Sequence, residues 1–543
     1  MTRGPSGRRG WVFAASTLAV VVAAPIVAVG ANLLEPRWDI WAHLTSTVLG
    51  ELALNTLWLL LGVGIGTAIL GTGLAWLVAT TEFPGRRFFD WALLLPMAMP
   101  AYVVGFVVVG LLDYAGPIQT GLRETFGPAF QLPDPRSFPM LVIVMSLVLY
   151  PYPYLLARTA FAEQTVDHLE AARALGAGPW GAFRRVALPL ARPAIVAGVT
   201  LAMLEALGDF GTVSTFGYRT FTTAIYRVWF GMFDRIAAGQ LAAMLVVLAA
   251  LVLLIERLAR GRARFAQTHG RTMTTHLRSL RGRARWLAPL ACAGVLLAGF
   301  VVPAVTLIRW TFEAHASDRI AANLGGLAWN SIWLATVAAL LVVLAAVVLV
   351  YGIRLYPTWG LKTAARIATL GYAVPGSVAA VGVLLVLAAI DQATAWASER
   401  LLGRTIQLFL VGSWISLLFA YLVRFLAPGF QTVEAGVGRI RLSLDEAARG
   451  LGRSPSGVFS GIHLPLLRGS LLTALVLVGL DVMKEMPATL LIRPFGMDTL
   501  AVEIWQRTTE SLWVEAAPPA LAIVLAGLLP VALLTRLRRH PTV

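Results

Sequence analysis

Residues 170–192, EAARALGAGPWGAFRRVALPLAR, and residues 446–468, EAARGLGRSPSGVFSGIHLPLLR, agree at 13 of 23 positions. Such agreement inside one chain marks an internal duplication. Two more pairs keep nearly the same spacing: Asn55 in LNTLWLL with Asn330 in WNSIWLA, and Pro100 in AMPAYVVG with Pro375 in AVPGSVAA. Each copy of the long stretch reads as helix, stop, helix. Glu170 and Glu446 follow Asp167 and Ser443 by three residues, the capping-box spacing that starts a helix. Gly176 and Gly452 should close that helix, since a residue free to adopt positive φ ends the last turn at no Cβ cost. Pro179 and Pro455 open a second helix where an N–H has no partner anyway. Leu188-Pro189 and Leu464-Pro465 are expected to end it. A helix-glycine-helix unit retained in two otherwise diverged copies points to docking of an external partner rather than to a mere connection.

The surroundings of both copies are apolar. Of 543 residues 58% are hydrophobic and 13% charged, against roughly 25% charged in a soluble domain. A soluble globule and a disordered chain are both excluded. Twelve runs reach the roughly 20 residues that span hydrocarbon as a helix: 11–34, 55–80, 91–112, 139–157, 194–212, 238–255, 287–308, 329–351, 368–390, 406–423, 470–488 and 516–535. The first follows Arg3, Arg8 and Arg9 as a signal peptide would, but is too long for one and reads as a retained helix. Six runs separate the copies, so the repeats are parallel, related by an axis along the membrane normal. The fold class is an all-α polytopic membrane protein of about twelve helices in two six-helix repeats. Residues 1–256 form the first half with its loop at 158–193, residues 257–286 a basic linker, and residues 287–543 the second half with its loop at 424–469.

Basic residues orient the chain. Of 44 Lys and Arg, 31 fall on the side of the N-terminus, which makes that side, both termini and both duplicated loops cytoplasmic. The net charge of +16 therefore reports topology. The linker from Arg257 to Arg285 reads as an anchor near anionic lipid rather than an RNA-binding arm. A single cysteine, Cys292, excludes a disulfide framework, and the seven histidines show no HExxH spacing.

Charges inside apolar runs are costly and mark function. Glu205 and Asp209 lie four apart in the fifth run, as one helix face would place them, and Asp481 and Glu485 repeat the arrangement 276 residues later. The expected role is a translocation pathway between the halves. The alternative is that Lys484 or Arg493 pairs with them and merely ties helices together. Carboxylates suit a hard cation, and transient contacts fit passage better than a stable metal site.

EAA followed by a glycine and then LP resembles the signature of permease subunits of binding-protein-dependent ABC importers, in which this loop is the coupling helix seated on the ATPase. The resemblance implies a type I importer permease fold and gives the ATPase-coupling role to Glu170, Ala171, Ala172, Gly176 and Pro189, and to Glu446, Ala447, Ala448, Gly452 and Pro465. EALGDFGTVSTFGYRTFTTAIYRVW (205–229) and MKEMPATLLIRPFGMDTLAVEIW (483–505) resemble the ferric-iron branch, in which two half-permeases are fused; Met486 departs from it where leucine is expected. The implied partners are two ABC ATPase subunits carrying ATP and Mg, an external solute-binding protein and the lipid of a bacterial inner membrane, with no nucleic acid. No cofactor of its own and no enzyme activity are expected. A Walker A motif needs a lysine after its glycines, and the two lysines here, Lys362 in WGLKT and Lys484 in VMKEM, lack that context. The competing readings are an importer of thiamine, phosphonate or polyamine, and a six-plus-six secondary transporter using the carboxylates for protons or sodium. The duplicated EAA loop counts against the latter.

Overall fold

The computed structural model describes residues 5–539 except 33, 35–37, 164–175, 177, 261–276 and 405–408. In the first half of the sequence the helices that matter are α1 (Pro5–Ala31), α2 (Leu49–Thr80), α3 (Ala101–Leu112), α4 (Phe138–Leu149), α5 (Pro151–Glu163), α6 (Leu188–Gly208), α7 (Gly211–Thr215) and α8 (Arg235–Arg260). The second half contributes α9 (Ala284–Leu296), α10 (Val302–Ala316), α11 (Leu324–Leu355), α12 (Gly376–Leu402), α13 (Trp414–Gly438), α14 (Leu442–Gly450), α15 (Pro455–Val458), α16 (Leu464–Lys484), α17 (Pro487–Ile492) and α18 (Trp513–Arg539). Eleven described helices are long and apolar enough to cross a membrane, and the pair α4–α5, bent by 46°, makes twelve. Pro151 and Pro153, which lack the N–H a continuous helix needs, follow that bend directly.

The duplication is visible element by element. α2 and α11 are both 32 residues long, α6 and α16 both 21, and each member of the second pair follows a five-residue π-turn, Phe183–Ala187 or Phe459–His463. These turns correct one expectation. Leu188-Pro189 and Leu464-Pro465 do not end the second short helix, which runs on into the membrane helix over Trp180–Gly208 and Pro455–Lys484. A proline costs one helical hydrogen bond, and the wider π-turn before it absorbs the mismatch without breaking the helix. The third and ninth runs also begin later than their hydropathy implies. Met99 and Val374 are extended, as residues before proline prefer, so α3 and α12 start only after Pro100 and Pro375.

The chain forms two compact units, residues 45–223 with 247–320 and 505–543, and residues 1–44 with 224–246 and 321–504. Neither coincides with a half of the sequence. In the first unit α2 packs on α5 and α6, and α10 on α18. Gly198 makes the α5–α6 contact possible, because a Cβ there would overlap the backbone of Pro153. Tyr150 donates to the Leu93 carbonyl at 2.8 Å, and Arg158 pairs with Asp90. A two-residue parallel pair, β1 (Thr81–Glu82) with β2 (Arg278–Ser279), ties the end of the linker to the end of α2. In the other unit α11 packs on α13 and α16, and α1 on α12, where Gly382 lies against the backbone at Pro25 with no room for a Cβ.

Candidate functional site

The acidic pairs do not share one helix face. α6 stops at Gly208 and α16 at Lys484, so Glu205 and Asp481 are helical while Asp209 and Glu485 are extended caps with ψ of 129° and 110°. Each cap opens a short helix. Asp209 accepts from the Thr212 amide at 2.8 Å, the Thr212 hydroxyl at 2.8 Å and the Val213 amide at 3.3 Å, at the start of α7. Glu485 accepts from the amide of Ala488, the counterpart of Thr212, at 3.0 Å and at the start of α17. A carboxylate there satisfies amides that have no partner inside the helix. The hydropathy pattern concealed both breaks, because FGTV and MPATLL continue the apolar run past the point where the backbone turns.

The halves then differ. Arg424 of α13 donates to Glu485 at 3.1 Å, and the pair sits against Gly376 at the start of α12, where a Cβ would overlap both groups. Sequence reasoning missed this arginine by counting it with the loop basic residues; α13 runs to Gly438 and encloses it. The signal was the apolar run continuing on both sides, LLFAYLV before it and FLAPGF after it. Asp209 has no counterpart of this pair among its described contacts. The duplicated asparagines behave alike: Asn55 donates to the Arg219 carbonyl and Asn330 to the Asp498 carbonyl, both at 3.0 Å. Each ties one end of a long helix to the chain that follows the carboxylate break.

The duplicated loop is described fully in its second copy. Glu170, Ala171 and Ala172 lie outside the described residues, as does Asp167, whereas Gly176 is placed and has φ +82°. In the second copy α14 carries Glu446 and Ala447 exposed and Ala448 buried. Gly452 has φ +80°; its amide donates to Arg449 O, and the Arg453 amide to Ala448 O. That double bond is the Schellman closure expected of a glycine one residue past the cap. Ser454 caps α15 through the Gly457 amide, with Pro455 as its first residue. Pro189 and Pro465 both open membrane helices and are exposed. The capping box is the exception. α14 starts at Leu442, which puts Ser443 inside its first turn with Arg441 as an uncapped N-terminus. Its start is fixed instead by Asp445, which lies buried against Arg354 and His463. Burial alone pushes the Asp445 carboxyl up, but hydrogen bonds from Arg354 and His463 outweigh it and hold the group below its ordinary value. A depressed carboxylate stabilises the fold at neutral pH and loses that contribution only as pH falls through its own lowered range.

Among the described residues no group of three or more His, Cys, Asp or Glu could hold a metal ion. Residues 69–261 match the family described as binding-protein-dependent transport system inner membrane component. The chain is 28% identical over 492 residues, 90% of each chain, to the Fe(3+)-transport system permease protein FbpB 2 of Haemophilus influenzae. It is 26% identical over 444 residues, 78% of this chain and 61% of the relative, to the ferric transport system permease protein FbpB of Actinobacillus pleuropneumoniae. The molybdenum transport system permease protein ModB of Escherichia coli is 30% identical over 241 residues, 42% of this chain and 98% of that protein.

Proposed function

The chain belongs to the family of binding-protein-dependent transport system inner membrane components, and on that premise we propose that it imports ferric iron as a fused two-half permease. It is a multi-pass inner-membrane protein and a permease subunit rather than an enzyme. One observation carries the choice of substrate. The ferric relative from Haemophilus influenzae matches over 90% of both chains, whereas the molybdenum relative matches less than half of this one.

In this reading an external binding protein delivers the ion, and two ATPase subunits holding ATP and Mg dock on the loops around 170–192 and 446–468. Closure of the ATPases pulls on both loops and rocks the halves between inward-open and outward-open. Glu205, Asp209, Asp481 and Glu485 border the route, Asp209 and Glu485 by holding the helix breaks that shape it. The ion makes transient, water-sharing contacts, since full ligation of a trivalent cation by carboxylates would hold it too tightly to pass. The basic side, with both termini and both loops, faces the cytoplasm.

Two experiments test this. Vesicles containing the permease, ATPase and binding protein are expected to take up radio-iron on addition of ATP; uptake of thiamine, phosphonate or molybdate with none of iron would overturn the substrate and leave the importer standing. For orientation, Cys292 is removed first, which is harmless because a buried thiol packs as a small apolar side chain. A cysteine placed near Arg271 should then react with an impermeant reagent only after the membrane is opened, and one near Asp134 in intact spheroplasts. The reverse pattern would invert every partner assignment.

A further inference from the structure

Arg354, in the last turn of α11, gathers four pieces of chain. Its Nε and Nη2 donate to the two oxygens of Asp445 at 2.9 Å each, its Nη1 to Val437 O at 2.8 Å and its Nη2 also to Ile440 O at 3.1 Å. Asp445 Oδ1 lies 2.7 Å from His463 Nε2, in the π-turn that leads into α16. Arg449 approaches the same carboxylate at 3.8 Å, and the Tyr351 ring stands edge-on to His463. The Arg354 and Asp445 side chains are 7% and 3% exposed. The end of α11, the end of α13, the first turn of α14 and the lead into α16 thus meet at one buried ion pair, the first three through Arg354 and the last through His463 on Asp445.

The first half does not repeat these residues. At the duplication's spacing Leu169 stands for Asp445, Ala187 for His463 and Ala79 for Arg354. A buried ion pair is a poor source of net stability, because desolvation of both charges offsets their attraction. Its distinctive property is geometric: a planar guanidinium with four of its five N–H groups directed at fixed acceptors admits one arrangement of the elements that supply them.

We propose that Arg354 is a positioning residue that locks the second loop to its membrane helices, so that a displacement imposed on α14 reaches α11, α13 and α16 as one rigid movement, through residues that the first copy does not repeat. This rests on the reading of the duplicated loops as ATPase contacts. The two loops then contribute unequally to coupling, with transport per ATP depending chiefly on the second.

The test is the ratio of iron imported to ATP hydrolysed in reconstituted vesicles, alongside co-purification of the ATPase. Arg354→Gln and Asp445→Asn are expected to retain the ATPase and hydrolyse ATP within about twofold of normal, while iron moved per ATP falls about tenfold, within the span of typical coupling energies. Arg354→Lys, which restores the charge but not the fork, should recover part of the ratio. A merely structural role would lower the amount of folded protein and leave the ratio alone. An unchanged ratio in assembled Arg354→Gln overturns the proposal; failure of the unmodified chain to bind ATPase overturns the underlying reading instead. Should the variants not accumulate, hydrogen exchange on the unmodified chain decides. Amides across 437–463 are expected to exchange as one cooperative unit, and independent exchange of α14 would sink the idea.

Discussion

Glutamine at position 485 should destabilise the folded permease by about 3 kcal/mol, because it removes the buried carboxylate that Arg424, 16% exposed, is held against. Asparagine at 209 should cost only about 1 kcal/mol, since its amide oxygen can still accept from Thr212 and no arginine among the described residues pairs with it. Equivalent positions in a duplicated chain thus respond differently to the same chemical change. Unfolding midpoints of the purified variants measure the difference, and Arg424→Met combined with Glu485→Gln should restore most of the loss, as removing both charges of a buried pair is nearly neutral. Equal midpoints for the two single variants would show that the Arg424 pair holds nothing. Because Asp209→Asn stays folded, it also isolates the pathway: radio-iron uptake should fall well below normal, and unchanged uptake would remove Asp209 from the route.

Valine at both Gly176 and Gly452 should abolish import. Each glycine has φ near +80°, and a Cβ at either would meet none of the described residues within 4 Å, so the cost lies in the backbone, about 1–3 kcal/mol per site. A β-branched residue avoids that cost by abandoning the turn, which displaces the second short helix. The double variant should insert normally yet lose ATPase association or substrate-stimulated hydrolysis. Asparagine at the same positions, which tolerates the left-handed region, should preserve both. Normal import by the valine double variant would show that these loops are not the coupling surface.

Features set by local chemistry were legible in the sequence. Gly452 closes α14 as a glycine after a helix should, Pro455 opens α15, and the spacing of the copies anticipated α2 against α11 and α6 against α16. What escaped depends on residues distant in sequence. Asp445 carries no signal of its own beside Glu446, because its partner Arg354 is 91 positions away and neither is duplicated. Ser443 fulfilled a capping pattern that tertiary contact overrode, and Arg424 was assigned to a loop because hydropathy registers charge but not the Glu485 that neutralises it. The breaks at Asp209 and Glu485 were invisible to periodicity, since the residues after them are as apolar as those before.

The packing of α1 on α12 also sets a timetable for biogenesis. α1 leaves the ribosome before the helices it packs on: α11, which it meets where Trp11 stands against Tyr351, begins at Leu324, roughly 290 residues or about 15–60 s of synthesis later, and α12 begins at Gly376. Throughout that interval α1 must persist in lipid without α11 or α12. Its sequence suits the wait: from Trp11 to Ala31 it carries no charged residue, and only Pro25 interrupts the hydrogen bonds by which a helix satisfies its own backbone. Docking is therefore a late event, and a nascent chain arrested before Leu324 should hold α1 in the bilayer still open to capture by other apolar helices.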